Sequence, residues 1–311
     1  MKTALLFPGQ GSQKVGMGHG LAQAYEVARR TFEEADDVLG FSLSKLCFEG
    51  PDAELTLTKH TQPAILTTSI AVFRVLEQRG LAFDFVAGHS LGEWTALVAA
   101  GALSLRDAVR LTHLRGTYMQ EAVPVGQGAM AAIMGLDLAK VKAVCEKASA
   151  PGEPVEPANL NGGGQIVISG HTAAVDRAIP EAKSTGAKIA KKLAVSAPFH
   201  CSLMQPAADR LAAALAEVMV TAPKVPVVAN VTAEPTQDAA QIRQLLVQQV
   251  TASVRWEESV QTLAKLGVTR GYELGAGTVL KGLVKRIADT LEVTAIGEPA
   301  EVEAFSPAPS V

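Results

Sequence analysis

The stretch that decides the fold is Phe85-Val86-Ala87-Gly88-His89-Ser90-Leu91-Gly92-Glu93-Trp94. Three apolar residues of strand character run into Gly88-x-Ser90-x-Gly92, and the Ala-rich, helix-forming run Trp94–Ala100 follows. A strand, a tight turn with a serine at its apex and then a helix are the context of a nucleophile elbow. The glycines let neighbouring backbone come close, and the helix N-terminus favours negative charge developing at the serine. The pattern occurs once in the chain. Its plain alternative is a Gly-rich strand-to-helix turn without chemistry.

Working outward, apolar runs of strand length alternate with helical patterns, which predicts an α/β fold. Upstream, Ala4–Phe7 is a first strand that enters the turn Pro8-Gly9-Gln10-Gly11-Ser12-Gln13, and helical stretches follow around 21–39 and 62–79. Downstream, Ser104-Leu105-Arg106-Asp107 opens a helix in the manner of a capping box, with Leu111, Leu114, Tyr118 and Met119 at helical spacing. A helix over about 206–220 and strands at Val225–Val231 and Gly271–Leu274 complete the main unit. Between about 127 and 195 the rhythm changes to β-α-β-β-α-β, the order of a ferredoxin-like unit. We expect a catalytic domain over 1–126 and 196–297, that small subdomain inserted at 127–195, and a loose tail over 298–311.

Composition narrows the function. Lys+Arg 28 against Asp+Glu 31 gives a net charge of −3, which makes no electrostatic case for nucleic acid or an anionic membrane. Three scattered cysteines without metal-ligand spacing fit a reduced, cytoplasmic protein with neither disulfide framework nor metal centre. The apolar run Ala4–Phe7 is too short for a signal-peptide core, and no run reaches the length of a membrane span.

A serine nucleophile needs a base, and the chain has six histidines. His89 adjoins Ser90 and should project elsewhere. His19, His60 and His171 sit in polar surroundings, and His113 is a surface or packing residue. His200, in Ser196-Ala197-Pro198-Phe199-His200, lies in the loop that returns the chain to the main unit, a sensible place for a base. Gly275-Ala276-Gly277 lacks the full dinucleotide fingerprint and reads as a turn. Lys188, Lys191 and Lys192 form a small basic cluster whose default is a solvated face, with contact to coenzyme A phosphates or an acidic carrier as the sharper reading. Cys201 is expected to be a buried structural thiol.

Taken in order, Phe7-Pro8-Gly9-Gln10-Gly11-Ser12-Gln13, Gly88-His89-Ser90-Leu91-Gly92-Glu93, Arg115-Gly116 with Met119-Gln120, Phe199-His200, and Gly275-x-Gly277 with Val279-Leu280 resemble the malonyl-CoA:acyl carrier protein transacylases of fatty acid synthesis, a family related to polyketide synthase acyltransferase domains. The resemblance covers about 1–290 and implies an α/β-hydrolase-like domain with a ferredoxin-like insert. It implies Ser90 as acyl acceptor, His200 as general base and then acid, and an oxyanion hole from the N–H groups of Leu91 and Gln10. It also implies Arg115 as partner of the malonyl carboxylate, for which a guanidinium fork is suited, and Gln249 as the residue orienting the histidine. A solvated helix arginine and a helix-end surface residue are the plain alternatives for those two. Leu91 and Phe199 resemble malonyl-selective members, Phe199 crowding an α-methyl branch. Many bacterial fatty-acid members carry a smaller residue where Phe199 stands, so a stand-alone polyketide acyltransferase stays open. The expected substrate is malonyl-CoA and the expected partner an acyl carrier protein with its phosphopantetheine arm, with no bound cofactor and a monomeric enzyme. A serine hydrolase or thioesterase and a non-catalytic docking protein are the alternatives.

Overall fold

The computed structural model describes residues 2–195 and 197–307. Its strands are β1 (Lys2–Phe7), β2 (Phe85–Gly88), β3 (Gly128–Met134), β4 (Val155–Gly162), β5 (Gln165–His171), β6 (Ile189–Lys192), β7 (Val227–Val228), β8 (Pro235–Thr236), β9 (Val268–Leu274) and β10 (Glu292–Ile296). They form two sheets, so the expected α/β class holds. The larger sheet runs β10-β9-β1-β2-β7-β8 and is parallel except for β8. The smaller runs β4-β5-β3-β6 and is antiparallel.

The central strands of the larger sheet are buried on both faces, which is why β1 reads as an unbroken apolar run. Leu5, Phe7 and Val86 face one hydrophobic cluster, while Ala4, Leu6, Phe85 and Ala87 face another. The smaller unit follows the order β3, helix Leu138–Ala148, β4, β5, helix Thr172–Ser184, β6. It has its own core around Ala131, Ile133, Val141 and Ile168. Met130, Ala158 and Val167, on the same strands, belong instead to the main core, so the small sheet seats one face on the larger unit.

Two helices matter to the site. Thr58–Gln78 is largely buried, and Leu105–Glu121 packs along it. The expected start of the second is present: the Ser104 hydroxyl accepts the Asp107 N–H at 3.0 Å. Elsewhere the structure corrects the sequence reading. Val225–Val231 was expected as a strand, but only Val227–Val228 pairs, because the Asn230 N–H leaves the ladder for the Glu93 carboxylate at 2.8 Å. The expected loose tail holds a further helix, Pro299–Ala304, begun by a capping box between Glu298 and Glu301 and anchored by fully buried Val302. Ser196, the expected start of the second catalytic segment, and tail residues 308–311 lie outside the described residues. No helix of the described residues is long and apolar enough to cross a membrane.

Candidate active site

Ser90 stands between β2 and the helix Leu91–Ala99 with φ 52° and ψ −106°. A non-glycine residue keeps such a backbone only where its surroundings over-determine it. Here the turn is pressed from both sides. A Cβ on Gly92 would lie 2.0 Å from the Phe7 carbonyl oxygen, and one on Gly88 2.0 Å from the Gly92 carbonyl group. Asn230 fastens the turn, its Oδ1 accepting the Ser90 N–H at 2.8 Å and its Nδ2 donating to the Gly88 carbonyl at 2.7 Å.

His200 Nε2 lies 2.7 Å from Ser90 Oγ. Its Nδ1 is 2.8 Å from the Gln249 main-chain carbonyl, which can only accept, so Nδ1 carries the proton and Nε2 is free to take one from the serine. His200 itself has φ 60°. Burial, and then the nearby Arg115 cation, push its pKa down to about 3, so the ring is neutral at ordinary pH.

Arg115 projects from the helix Leu105–Glu121 and is only 2 % exposed. One Nη donates to Gln62 Oε1 at 2.7 Å, and the other reaches Gln249 Oε1 at 3.1 Å and Ser90 Oγ at 3.2 Å. All three acceptors are neutral, and among the described residues Nε has no partner. Burial lowers the Arg115 pKa to about 10, which leaves the guanidinium charged. The Gln249 amide continues inward, its Nε2 donating to Glu93 Oε2 at 2.8 Å and to the Ser90 carbonyl at 3.0 Å. Glu93 is buried, and desolvation raises its pKa to about 7.

The remaining predicted residues fall in the same place. Gly9 presses on the elbow so closely that a Cβ there would sit 2.4 Å from the His89 carbonyl oxygen, which brings the Gln10 main chain beside Ser90. Thr58 holds the Gln10 side chain at 3.1 Å. Leu91 is the first residue of its helix, where an N–H has no helical carbonyl to bond. A cavity of about 330 Å³ is lined by Gln10, Ser90, Leu91, Arg115, Phe199 and His200, among others, while Gln249 stands behind its wall.

The plain readings also find their places. His89 points away from the serine and bonds Asn161 of β4 at 2.8 Å, and His113 bonds the Lys59 carbonyl at 2.8 Å. The Gly275–Gly277 segment is a turn. The N-terminus of the following helix is occupied by the Glu273 carboxylate, which accepts from the N–H groups of Leu280 and Lys281 at 2.9 and 2.8 Å. Cys201 is buried with a free thiol that donates to the Pro198 carbonyl at 3.2 Å. Lys192 pairs with Asp176, as a solvated lysine would.

Sequence reasoning missed Gln62, Asn230 and Glu93 as members of the site. The signals were a polar residue standing among apolar ones, Asn230 between Ala229 and Val231 and Glu93 between Gly92 and Trp94, and the place of Glu93 at the end of the elbow motif.

A serine on an elbow, a neutral histidine aimed at its hydroxyl and a buried arginine beside both, within a two-sheet α/β fold, define the acyltransferases as the class. The family model described as acyl transferase domain matches residues 4–301. The chain is 51 % identical to the malonyl CoA-acyl carrier protein transacylase of Salmonella typhimurium over 97 % of both chains, and 49 % identical to that of Bacillus subtilis over 97 % of this chain and 95 % of the other. Among solved structures, an acyl carrier protein S-malonyltransferase from Vibrio cholerae superposes with a TM-score of 0.96 at 47 % identity, covering 98 % of this chain and 100 % of that one. A malonyl-transacylase solved in complex with a type II polyketide synthase acyl-carrier protein superposes at 0.95, with 47 % identity and 98 % of each chain covered. The chain belongs to the malonyl CoA-acyl carrier protein transacylases of the acyl transferase domain family.

Proposed function

We propose that this enzyme moves a malonyl group from malonyl-CoA to the phosphopantetheine thiol of an acyl carrier protein, through a malonyl ester on Ser90. In the first half-reaction Ser90 Oγ attacks the thioester carbonyl while His200 Nε2 takes the hydroxyl proton. The N–H groups of Leu91 and Gln10 receive the oxyanion. The C–S bond breaks, and His200 returns the proton to the departing coenzyme A thiolate. In the second, the carrier thiol gives its proton to His200 and attacks the ester carbonyl. The C–O bond breaks, and Ser90 Oγ regains its proton.

The observation that carries this reading is Arg115. A buried cation with neutral partners, and an Nε unused among the described residues, stands 3.2 Å from the oxygen to be acylated. One methylene separates the two carbonyl carbons of a malonyl group, so an ester on Ser90 brings its free carboxylate to that guanidinium. The relatives' names agree in substrate and carrier.

The same reading takes the larger unit as an α/β-hydrolase-like catalytic domain over 1–126 and 196–297, and 127–195 as a ferredoxin-like subdomain. The β4-β5-β3-β6 strand order supports the second assignment. It takes the protein as a cytoplasmic monomer that needs no bound cofactor. A second carrier is supported by the neighbour that binds a type II polyketide carrier, so a polyketide carrier belongs in the assay beside a fatty-acid one.

The test is intact mass after incubation with malonyl-CoA, alongside Ser90→Ala. A malonyl adduct on the wild type, absent from the variant and lost on adding holo-carrier, is expected. Rapid malonate release without an adduct would assign a hydrolase instead, and neither adduct nor release would remove malonyl-CoA as the substrate.

A further inference from the structure

The bond that orients His200 has no local covalent reason to be accurate. His200 lies 49 residues from the Gln249 carbonyl that orients it, and its own backbone is in the left-handed region. Something outside both loops must hold them in register. The structure assigns that task to the free edge of β4 in the small unit, with Glu156 as a positioning residue for His200.

β4 is an edge strand, paired with β5 on one side only. Its other edge is spent on the catalytic loops. The Glu156 carboxylate accepts both the N–H and the hydroxyl of Ser202, at 2.9 and 2.5 Å, two residues beyond His200. Two residues along, the Ala158 carbonyl accepts the Val254 N–H at 2.8 Å, and the Leu160 N–H donates to the Val254 carbonyl at 2.9 Å. The Ser253 hydroxyl adds a bond to the Pro157 carbonyl. Val254 follows Gln249 by five residues. One strand therefore grips the far side of His200 and the far side of its acceptor, and Asn161 adds the bond to His89 at the elbow. The grip on Val254 is main chain to main chain and tolerates most side chains. The grip on Ser202 depends on one carboxylate. Without it, the strained His200 loop keeps the Gln249 bond and the packing of Pro198 on Gly128 of β3 but loses its hydrogen bonds to β4, and the imidazole can drift from Ser90. Misplacements of about 1 Å can cost up to about a hundredfold in rate.

This inference rests on Ser90 and His200 acting as nucleophile and base. Two readouts separate its failure from failure of the substrate assignment: the single-turnover rate of malonyl-CoA acylation, and the rate at which a fluorophosphonate ester labels Ser90, which needs the dyad but no malonyl group. Glu156→Ala should slow both about tenfold with KM for malonyl-CoA within about twofold of wild type. Glu156→Gln, whose amide oxygen still accepts from Ser202, should recover most of the rate. Wild-type rates in Glu156→Ala would overturn the inference. So would a Glu156→Gln variant as slow as the alanine, or a rate loss restored merely by cooling both proteins to equal folded fraction. Labelling of wild-type Ser90 without malonylation would sink the substrate assignment and leave the positioning role to be judged on the label. Absence of both would remove the dyad and this role with it.

Discussion

Replacing Arg115 with methionine keeps most of the side chain's length and removes its charge. The structure sets the size of the effect. Arg115 is 2 % exposed, so most of its desolvation is already met in the free enzyme, and a malonyl carboxylate meets a prepared cation. Truncating one member of a buried charge pair costs about 2–5 kcal/mol. At about 1.4 kcal/mol per decade, kcat/KM for malonyl-CoA should fall roughly thirtyfold to a few thousandfold. Acetyl-CoA brings no carboxylate, so its kcat/KM should stay within about threefold, and the malonyl preference should collapse. A second readout concerns His200, whose pKa of about 3 is set first by burial and second by Arg115. His200 must be neutral to act, so activity is lost as pH falls through its pKa. In the wild type that loss lies far below neutrality. In Arg115→Met it should move upward, while staying below the ordinary histidine value because the ring remains buried. The variant leaves the amide oxygens of Gln62 and Gln249 without their donor, so its folding must be checked by thermal melting. The assay is single-turnover acylation by both thioesters from about pH 2.5 to pH 8, so that the acid limb falls inside the window. A malonyl preference retained within about threefold, or an acid limb that stays or moves down, would refute the reasoning.

Other perturbations test other parts of the site. Phe199→Ala removes a ring that lines the cavity beside His200, so the ratio of kcat/KM for methylmalonyl-CoA to that for malonyl-CoA should rise by about 1–3 kcal/mol, or about ten- to two-hundredfold. An unchanged ratio would exclude Phe199 as the wall against an α-branch. Glu93 binds its proton more tightly in the folded protein, with a pKa near 7 against an ordinary value of 4.5, so its contribution to stability is full below pH 4.5 and is lost as pH rises through 7. Urea titrations of Glu93→Gln should therefore gain on the wild type by about 3 kcal/mol between pH 4.5 and pH 8, and a difference that is flat with pH would contradict a protonated Glu93. Gly92→Ala places a methyl 2.0 Å from the Phe7 carbonyl and should destabilise by more than about 3 kcal/mol, read as a shifted urea midpoint; a midpoint near wild type would mean that the elbow yields easily.

The fold was largely legible because its signals are local. The elbow announces itself within ten residues, and the changed rhythm over 127–195 marks a unit with its own core. The tail helix escaped because six residues held by Pro299 and the Glu298–Glu301 box carry no periodicity to detect. The site was legible in proportion to how little it depends on tertiary pairing. Ser90 needs only its own turn. His200 stood out among six histidines only by its loop, and the resemblance strengthened that choice, since its partner lies 110 residues away. Glu93, Asn230 and Gln62 act only through where the fold puts them. Asn230 was hidden inside an apolar run, and the bond that ends that strand is the bond to Glu93.

The choice of partner for His200 bears on why such a site passes an acyl group to a thiol and not to water. A carboxylate at Nδ1 would stabilise the imidazolium. Here the acceptor is the Gln249 carbonyl, and the nearest charge is the Arg115 cation, which disfavours the imidazolium further. The resting base is weak. A thiol, with a pKa of about 8.5, makes small demands on a base, whereas bulk water, at 15.7, makes large ones. A malonyl carboxylate against Arg115 would cancel part of the cation's field at the moment the ester forms, and so raise the basicity of His200 only when its substrate is in place. On the proposed reading, the residue that pairs with the diacid also conditions the base, and the second half-reaction, with a thiol as the acid, asks the least of it.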